Sequence, residues 1–234
     1  MIQISFSNNL QKNDIQISIA TMEISDFKII SDKYDFDQII LKIKSDLKSK
    51  YTIENIKDDQ IVSKYRKFYW NHLHLDPTKI RPSSEALIRR ILKNQRIPKI
   101  SAFVDAYNWA SAAALIPMGA YDIETFDYPI VFRLTQKNET FIPIGMDVKN
   151  LPPNTLVISD KKDTILSQYP YRDSKFSMVT RNSKNIILIA CGVPGISKDQ
   201  LFFALARTKK HLEFLRNKKV INFKLSEFEY FSLA

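Results

Sequence analysis

RPSSEALIRRILKNQRIPKISAFVDAYNWASAAALIPMGAYD, residues 81–122, is the stretch on which the fold reading turns. Leu87, Ile88, Ile91 and Leu92 recur at helical spacing, and Ser83 is placed to cap that helix, with Glu85 in its first turn. Ser101–Leu115 predicts a second helix, closed by Pro117 and Gly119. Pro117-Met118-Gly119-Ala120 predicts a turn in which glycine lets a backbone N–H approach a ligand closely. No acid lies between Ala86 and Val104, whereas Arg81, Arg89, Arg90, Lys93, Arg96 and Lys99 fall in and beside that interval. Such a face is either solvated or suited to phosphates.

Outward from this stretch, Ile2–Phe6 and Ile15–Ile24 read as strands, being β-branched and partly alternating. Phe36–Lys50 predicts a helix with Ile39, Ile40, Ile43 and Leu47 on one stripe, and Asn55–His72 another that buries Ile61, Val62, Tyr65 and Phe68. Short strands are expected at 129–134, 140–144, 155–159, 176–180 and 186–191. Ser197 and Gln200 form a capping box for a helix to about Asn217, and Val220–Phe231 predicts a closing strand. All ten prolines lie between Pro77 and Pro194, so the first 76 residues can run in uninterrupted elements while the middle turns often. Helices interspersed with a strand-rich second half predict an α+β fold.

With 234 residues and 44% hydrophobic content, the chain can bury a sizeable core. Its net charge of +10 favours a polyanionic partner. Cys191, the one cysteine, ends the apolar run Ile186–Cys191 and reads as a core thiol. His72, His74 and Asp76 do not make a metal site at that spacing, with His211 the only other histidine, and no metal is expected. Ser83 and Ser84 lack a histidine partner and read as helix-start residues, not nucleophiles. No window approaches a membrane span, and the N-terminus has no signal-peptide pattern, so a soluble cytoplasmic protein is expected.

Pro82-Ser83, Val104-Asp105, Asn108, Pro117-Met118 and Tyr121-Asp122 occur in an order and spacing that resemble the B3/B4 domain of the phenylalanyl-tRNA synthetase β subunit, and most of all its stand-alone form. Weaker likeness continues through Phe141-Ile142-Pro143, Tyr171-Arg172-Asp173, Thr180 and Val193-Pro194-Gly195, covering roughly Tyr65 to Leu215. The resemblance implies a mixed β-sheet or partly open barrel core with flanking helices over 77–234, and a strand/helix extension, 1–76, packed on it. It implies a free-standing, cofactor-independent deacylase that hydrolyses the ester at the acceptor end of mischarged tRNA with a positioned water.

By the same resemblance Tyr107, Asn108, Pro117 and Gly119 line the editing pocket, with Met118 and Ala120 beside them. Asn108 offers a neutral donor and acceptor, and Tyr107 an aromatic wall or a phenol. Arg172 is suited to a phosphate or an oxyanion, with Asp173 orienting it or accepting from an α-ammonium. A purely structural Arg–Asp pair is the competing reading. Arg81, Arg89, Arg90, Lys93, Arg96 and Lys99 would follow the RNA backbone. Two positions depart from the synthetase pattern. Gly119 stands where that pattern has a substrate-binding histidine, and Ile189 falls near its tyrosine-reading carboxylate. A site lacking that carboxylate implies an edited amino acid other than tyrosine. The rival readings are a non-catalytic RNA-binding module of the same fold and a small-ester hydrolase that does not use RNA.

Overall fold

Residues 3–233 are described by the computed structural model, and the expected strand residue Ile2 lies outside them. The chain runs β1 (Ile4–Phe6), α1 (Asn8–Lys12), β2 (Ile17–Ile29), α2 (Asp37–Lys50), α3 (Gln60–Asn71), α4 (Ser83–Leu92) and α5 (Ala102–Ala114). It continues β3 (Met118–Asp122), β4 (Ile130–Leu134), β5 (Thr140–Phe141), β6 (Lys149–Asn150), β7 (Leu156–Ser159), β8 (Ile165–Gln168) and β9 (Arg172–Asp173). β10 (Ile186–Gly192), α6 (Lys198–Asn217), β11 (Ile221–Leu225) and β12 (Glu229–Leu233) complete it.

The strands build two five-stranded sheets and a two-stranded hairpin of β5 and β6, an α+β architecture with no closed barrel among the described residues. One sheet has the order β1-β4-β7-β8-β9, and the other β11-β2-β10-β3 with β12 also on β2. The 13-residue β2 is the spine of the second sheet. It holds β10 along one edge, and on the other β12 (Thr21↔Glu229 to Ile17↔Leu233) followed by β11 (Ile29↔Ile221 to Ile24↔Leu225). The tail expected to add one strand therefore adds two, and the strand expected over 15–24 runs on to Ile29.

α5 is buried almost all round, which explains its run of small residues. Phe103, Ala106 and Ala110 pack towards the sheets with Leu201, Ala204, Leu205 and Leu212 of α6, while Trp109 and Ala112 meet Ile43, Leu47, Ile88 and Ile91 of α2 and α4. Burial of these last stripes follows the periodicity in the sequence. Ser197 and Gln200 do form the capping box that opens α6.

Elsewhere the local structure departs from expectation for identifiable reasons. The helix predicted over 55–72 is broken by Asp59, whose carboxylate accepts from the Ile61 and Val62 N–H groups and starts α3 afresh. Ser83 does not cap α4. Pro82 occupies the cap with no side-chain hydrogen bond, and the Ser83 N–H goes to the Pro170 carbonyl at 3.3 Å. Glu85 does lie in the first turn of α4, as expected, but it is buried there and accepts from Arg66 Nη1 at 2.9 Å and Arg89 Nε at 2.7 Å, tying α3 to α4. The strand expected over 140–144 stops at Phe141, since Pro143 has no N–H to offer and Gly145 takes φ +74°. The segment 176–180 makes only an isolated bridge, Met178 to Tyr121.

Candidate functional site

A cleft of about 340 Å³ opens where the two sheets meet beneath α4 and α5. The start of β3 and the end of β10 form its floor, through Pro117, Met118, Gly119, Tyr121 and Cys191. α5 contributes Tyr107 and Asn108, the α4 side contributes Arg81, Ser83 and Arg90, and β8–β9 contribute Ser167, Tyr171, Arg172 and Asp173. Residues from five separate parts of the sequence thus face one space. Of the residues expected to act together, Tyr107, Asn108, Pro117, Met118, Gly119, Arg172, Asp173, Arg81 and Arg90 all line it.

The expected turn at Pro117–Ala120 is instead a strand. The chain reverses one step earlier, where Leu115 adopts the left-handed conformation at φ 62° to end α5. The Cys191 N–H donates to the Pro117 carbonyl at 2.9 Å, and antiparallel alternation from that bond directs the Gly119 N–H to the Ile189 carbonyl. The Gly119 amide is therefore engaged in the sheet and does not face a ligand. Alternation turns the Met118 and Ala120 amides to the opposite edge, while the Ala120 side chain points to the face away from Gly119 and is buried in the core. Ile189 pairs with Gly119 in register but is wholly buried and stays out of the cleft.

The absence of a side chain at Gly119 has another use. The Tyr121 hydroxyl donates to Asp173 Oδ1 at 2.9 Å, a hydrogen bond that joins the two sheets across the floor. A Cβ on Gly119 would strike the Tyr121 hydroxyl and lie 2.9 Å from Asp173 Oδ1. Glycine here lets that pair close. Gly119→Ala is expected to lower stability by about 1–3 kcal/mol through overpacking. The loss should be smaller in a Tyr121→Phe background, and the four urea-unfolding free energies of the cycle measure the difference.

Asp173 is the only acid among the described residues that line the cleft. Its removal from water raises its carboxyl to about 6, against which the Tyr121 and Ser167 hydroxyls and the Arg172 guanidinium pull downwards. Burial first, and then the Asp173 charge, pushes the Tyr107 and Tyr121 phenols far up, so both remain hydrogen-bond donors. Arg172 holds only the Met146 sulfur, Nη1 to Sδ 3.2 Å, and leans over the Tyr171 ring at 5.4 Å. It lies beside Asp173 in the chain and lowers that carboxyl through its charge, without a direct ion pair to it. The Arg81 Nε is buried with no hydrogen-bond partner. The cleft therefore joins three guanidinium groups, one carboxylate that is ionised at neutral pH, and the Asn108 amide.

The six basic residues expected to form one RNA-binding face divide. Arg81 and Arg90 reach the cleft. Arg89 sits one turn after Glu85 and is drawn inward to it and to the Ile53 carbonyl at 3.0 Å. Lys99 folds onto Tyr34, donating to its carbonyl at 3.0 Å with Nζ 3.9 Å from the ring centroid. Lys93 and Arg96 are exposed past the end of α4. Tyr121 and Ser167 were not among the expected site residues. Tyr121 had a legible signal, since it follows Gly119 by two on a strand and so shares its face. Asp105 anchors the Ile100 N–H at 3.0 Å and the Tyr34 hydroxyl at 2.6 Å, and Asp122 caps a short turn at Glu124, so both serve structure. His211 is a core residue whose Nδ1 meets the Ala106 carbonyl at 2.9 Å.

A family model described as the B3/4 domain matches residues 64–219. A curated relative, the phenylalanine–tRNA ligase beta subunit of Idiomarina loihiensis, is 32% identical over 97 residues, which make up 42% of this chain and 12% of that protein. A solved N-terminal fragment of the phenylalanyl-tRNA synthetase beta subunit from Pyrococcus horikoshii is 13% identical, with a TM-score of 0.46 over 96% of this chain and 50% of the fragment. The chain thus spans 12% of the curated relative's length and half of the fragment's. No helix among the described residues is long and apolar enough to cross a membrane.

Proposed function

Because the chain belongs to the B3/4 domain family, we propose that it is an aminoacyl-tRNA deacylase that hydrolyses the ester of mischarged tRNA in the cytoplasm, acting in trans. The observation that carries this reading is the convergence of Asn108, Arg172 and Asp173 with Arg81 and Arg90 on one cleft. The charges suit the end of an aminoacylated RNA, with its anionic backbone and an ester that water can attack without a covalent enzyme intermediate. The curated relative is named for a tRNA ligase, which supports tRNA as the partner.

In this mechanism ionised Asp173, held by the Tyr121 hydroxyl, orients the attacking water and takes one of its protons as the oxygen bonds to the ester carbon. The Asn108 amide and the Arg172 guanidinium face the developing oxyanion. The C–O bond to the terminal ribose then breaks, and the proton on Asp173 passes to the departing ribose oxygen. Arg81 and Arg90 hold the neighbouring phosphates, contacts that weaken with salt. With glycine at 119 and isoleucine at 189 in place of a histidine and a carboxylate, the substrate side chain is read by apolar and aromatic walls, which suits an amino acid other than tyrosine.

A panel of mischarged tRNAs incubated with the chain alone tests the proposal. At least one should lose its amino acid faster than in buffer, and Asn108→Ala and Arg172→Ala should each slow that loss by about 10²-fold, the scale of one oxyanion donor. Protection of every tRNA in the panel at the buffer rate would sink it. The departure at Gly119 favours a second reading, a non-catalytic RNA-binding module. That reading predicts salt-dependent tRNA binding with no ester loss.

A further inference from the structure

Two arginines among the described residues have a buried Nε with no hydrogen-bond partner. Arg81 lines the cleft between the sheets. Arg207 lines a separate cavity of about 450 Å³ between α2 and α6, which shares no residue with that cleft. Each helix gives this cavity one face. Ile39, Lys42, Ile43 and Asp46 come from α2, and Arg207, Lys210, His211 and Phe214 from α6, both sets at spacing i, i+3, i+4, i+7. The helices meet at one end, where the Phe36 ring lies 5.9 Å from the rings of His211 and Phe214. At the other end Ile43, Asp46 and Arg207 also line a smaller space that reaches Ala113 and Leu115 at the close of α5. The cavity is therefore sorted along its length, with Ile39 and Phe214 towards the Phe36 end and Arg207 towards the other. Arg207 and Phe214 are separated by about 10 Å along the helix.

We infer that this cavity binds a small amphiphile with an anionic head, carboxylate or phosphate, on an apolar body, independently of the reaction proposed above. The head meets the Arg207 guanidinium, flanked by Lys42 and Lys210, and the body lies along Ile43, Ile39 and Phe214. Three observations favour this occupant. Three cations face a single acid, Asp46, and burial pushes His211 down so that its ring is neutral, leaving an excess of positive charge. Among the described residues no carboxylate pairs with Arg207, whose guanidinium leans on the Phe203 ring at 5.4 Å. A buried donor without an acceptor is costly, and an anionic head supplies the acceptor. The volume falls within the range of about 300–1,000 Å³ typical of small-molecule sites, and apolar walls beside a few convergent polar groups are their usual lining. Because the helices meet at Phe36, the apolar end suits a tail that stops there better than a polymer that must continue.

Calorimetric titration of the intact chain at neutral pH with butanoate, hexanoate and octanoate tests this. Affinity should rise about fourfold per added methylene. Octanol, which lacks the charge, should bind at least about tenfold more weakly than octanoate. Octyl phosphate distinguishes the two heads, since tighter binding than octanoate assigns a phosphate and weaker binding a carboxylate, and either result supports the inference. Arg207→Met keeps the apolar stem and removes the guanidinium. It should weaken octanoate by about tenfold or more and leave the urea midpoint equal or higher, because the donor it removes has no partner. A structural arginine would behave in the opposite way on both counts. Lys210→Gln, at an exposed position, should weaken octanoate by up to about fivefold. Absence of saturable binding by every carboxylate, octanol binding equal to octanoate, or unchanged octanoate affinity in Arg207→Met overturns the inference. So does loss of octanoate binding in Arg81→Gln, which would place the probe in the cleft. Displacement of octanoate by a blunt RNA duplex also overturns it, by assigning the cations to a polyanion. None of these titrations reads ester hydrolysis, so failure of the deacylase proposal leaves this inference standing.

Discussion

Asp173→Asn is expected to slow deacylation by about 10²- to 10⁴-fold, the range of a positioned general base, while making the protein more stable at alkaline pH. The carboxyl is held up to about 6 by burial. The intact enzyme should therefore lose activity below that pH along a one-proton limb, and the residual activity of the variant should show no such limb. The native state keeps the proton to about 6, whereas an unfolded aspartate releases it near about 4. The protonated form thus contributes stability that is fully present below about pH 4 and disappears as pH rises through about 6. Asparagine stays neutral and can still accept from the Tyr121 hydroxyl. It should raise stability by up to about 3 kcal/mol at pH 8 and by little at pH 4. Urea unfolding at both pH values, beside single-turnover deacylation from pH 5 to 8, reads the two effects. Lower stability of the variant at pH 8 would show that Asp173 is a structural residue with no burden to relieve.

Glu85→Ala should be among the most destabilising single substitutions, at about 3–5 kcal/mol. The carboxylate is 1% exposed and lies between two guanidinium groups that are themselves largely buried. Its loss leaves Arg66 and Arg89 facing each other without a counter-charge, and it loosens α4 from α3. Glu85→Gln should cost less, because it keeps an acceptor for one arginine. The urea midpoint should fall with an unchanged m-value, which separates lost stability from a changed denatured state. Since Arg81 precedes α4 and Arg90 lies in its last turn, weaker RNA binding should accompany the loss even at temperatures where the variant remains folded.

Much of this architecture could be read from pattern. The apolar stripes of α2 and α4 and the capping box of α6 depend on neighbours within a few turns, so local spacing reveals them. The α+β class follows from the same elements. Less legible was everything decided by distant partners. Whether Arg89 faces RNA or Glu85 depends on Arg66 and the Ile53 carbonyl, which periodicity does not link to it. Gly119 looked like a turn residue, but the strand character of Met118–Asp122 is imposed by β10, nearly 70 positions later. The cleft residues Asn108, Arg172 and Asp173 could be nominated from the sequence. The Tyr121–Asp173 bond could not, because it spans 52 positions and joins separate sheets.

The spine strand β2 sets a timetable for the folding of this chain. It ends at Ile29, yet β10, β11 and β12, which cover its two edges, begin only at Ile186. At roughly 5–20 residues per second of synthesis, a nascent chain carries β2 without these partners for on the order of ten seconds. During that time a long run of β-branched and apolar residues has both edges open, the condition under which strands pair with the wrong neighbour. The floor of the cleft inherits the delay, because β3 is held by β10 and β10 by β2. Binding competence should therefore appear late in refolding, after the helices α2 to α5 have formed their own contacts.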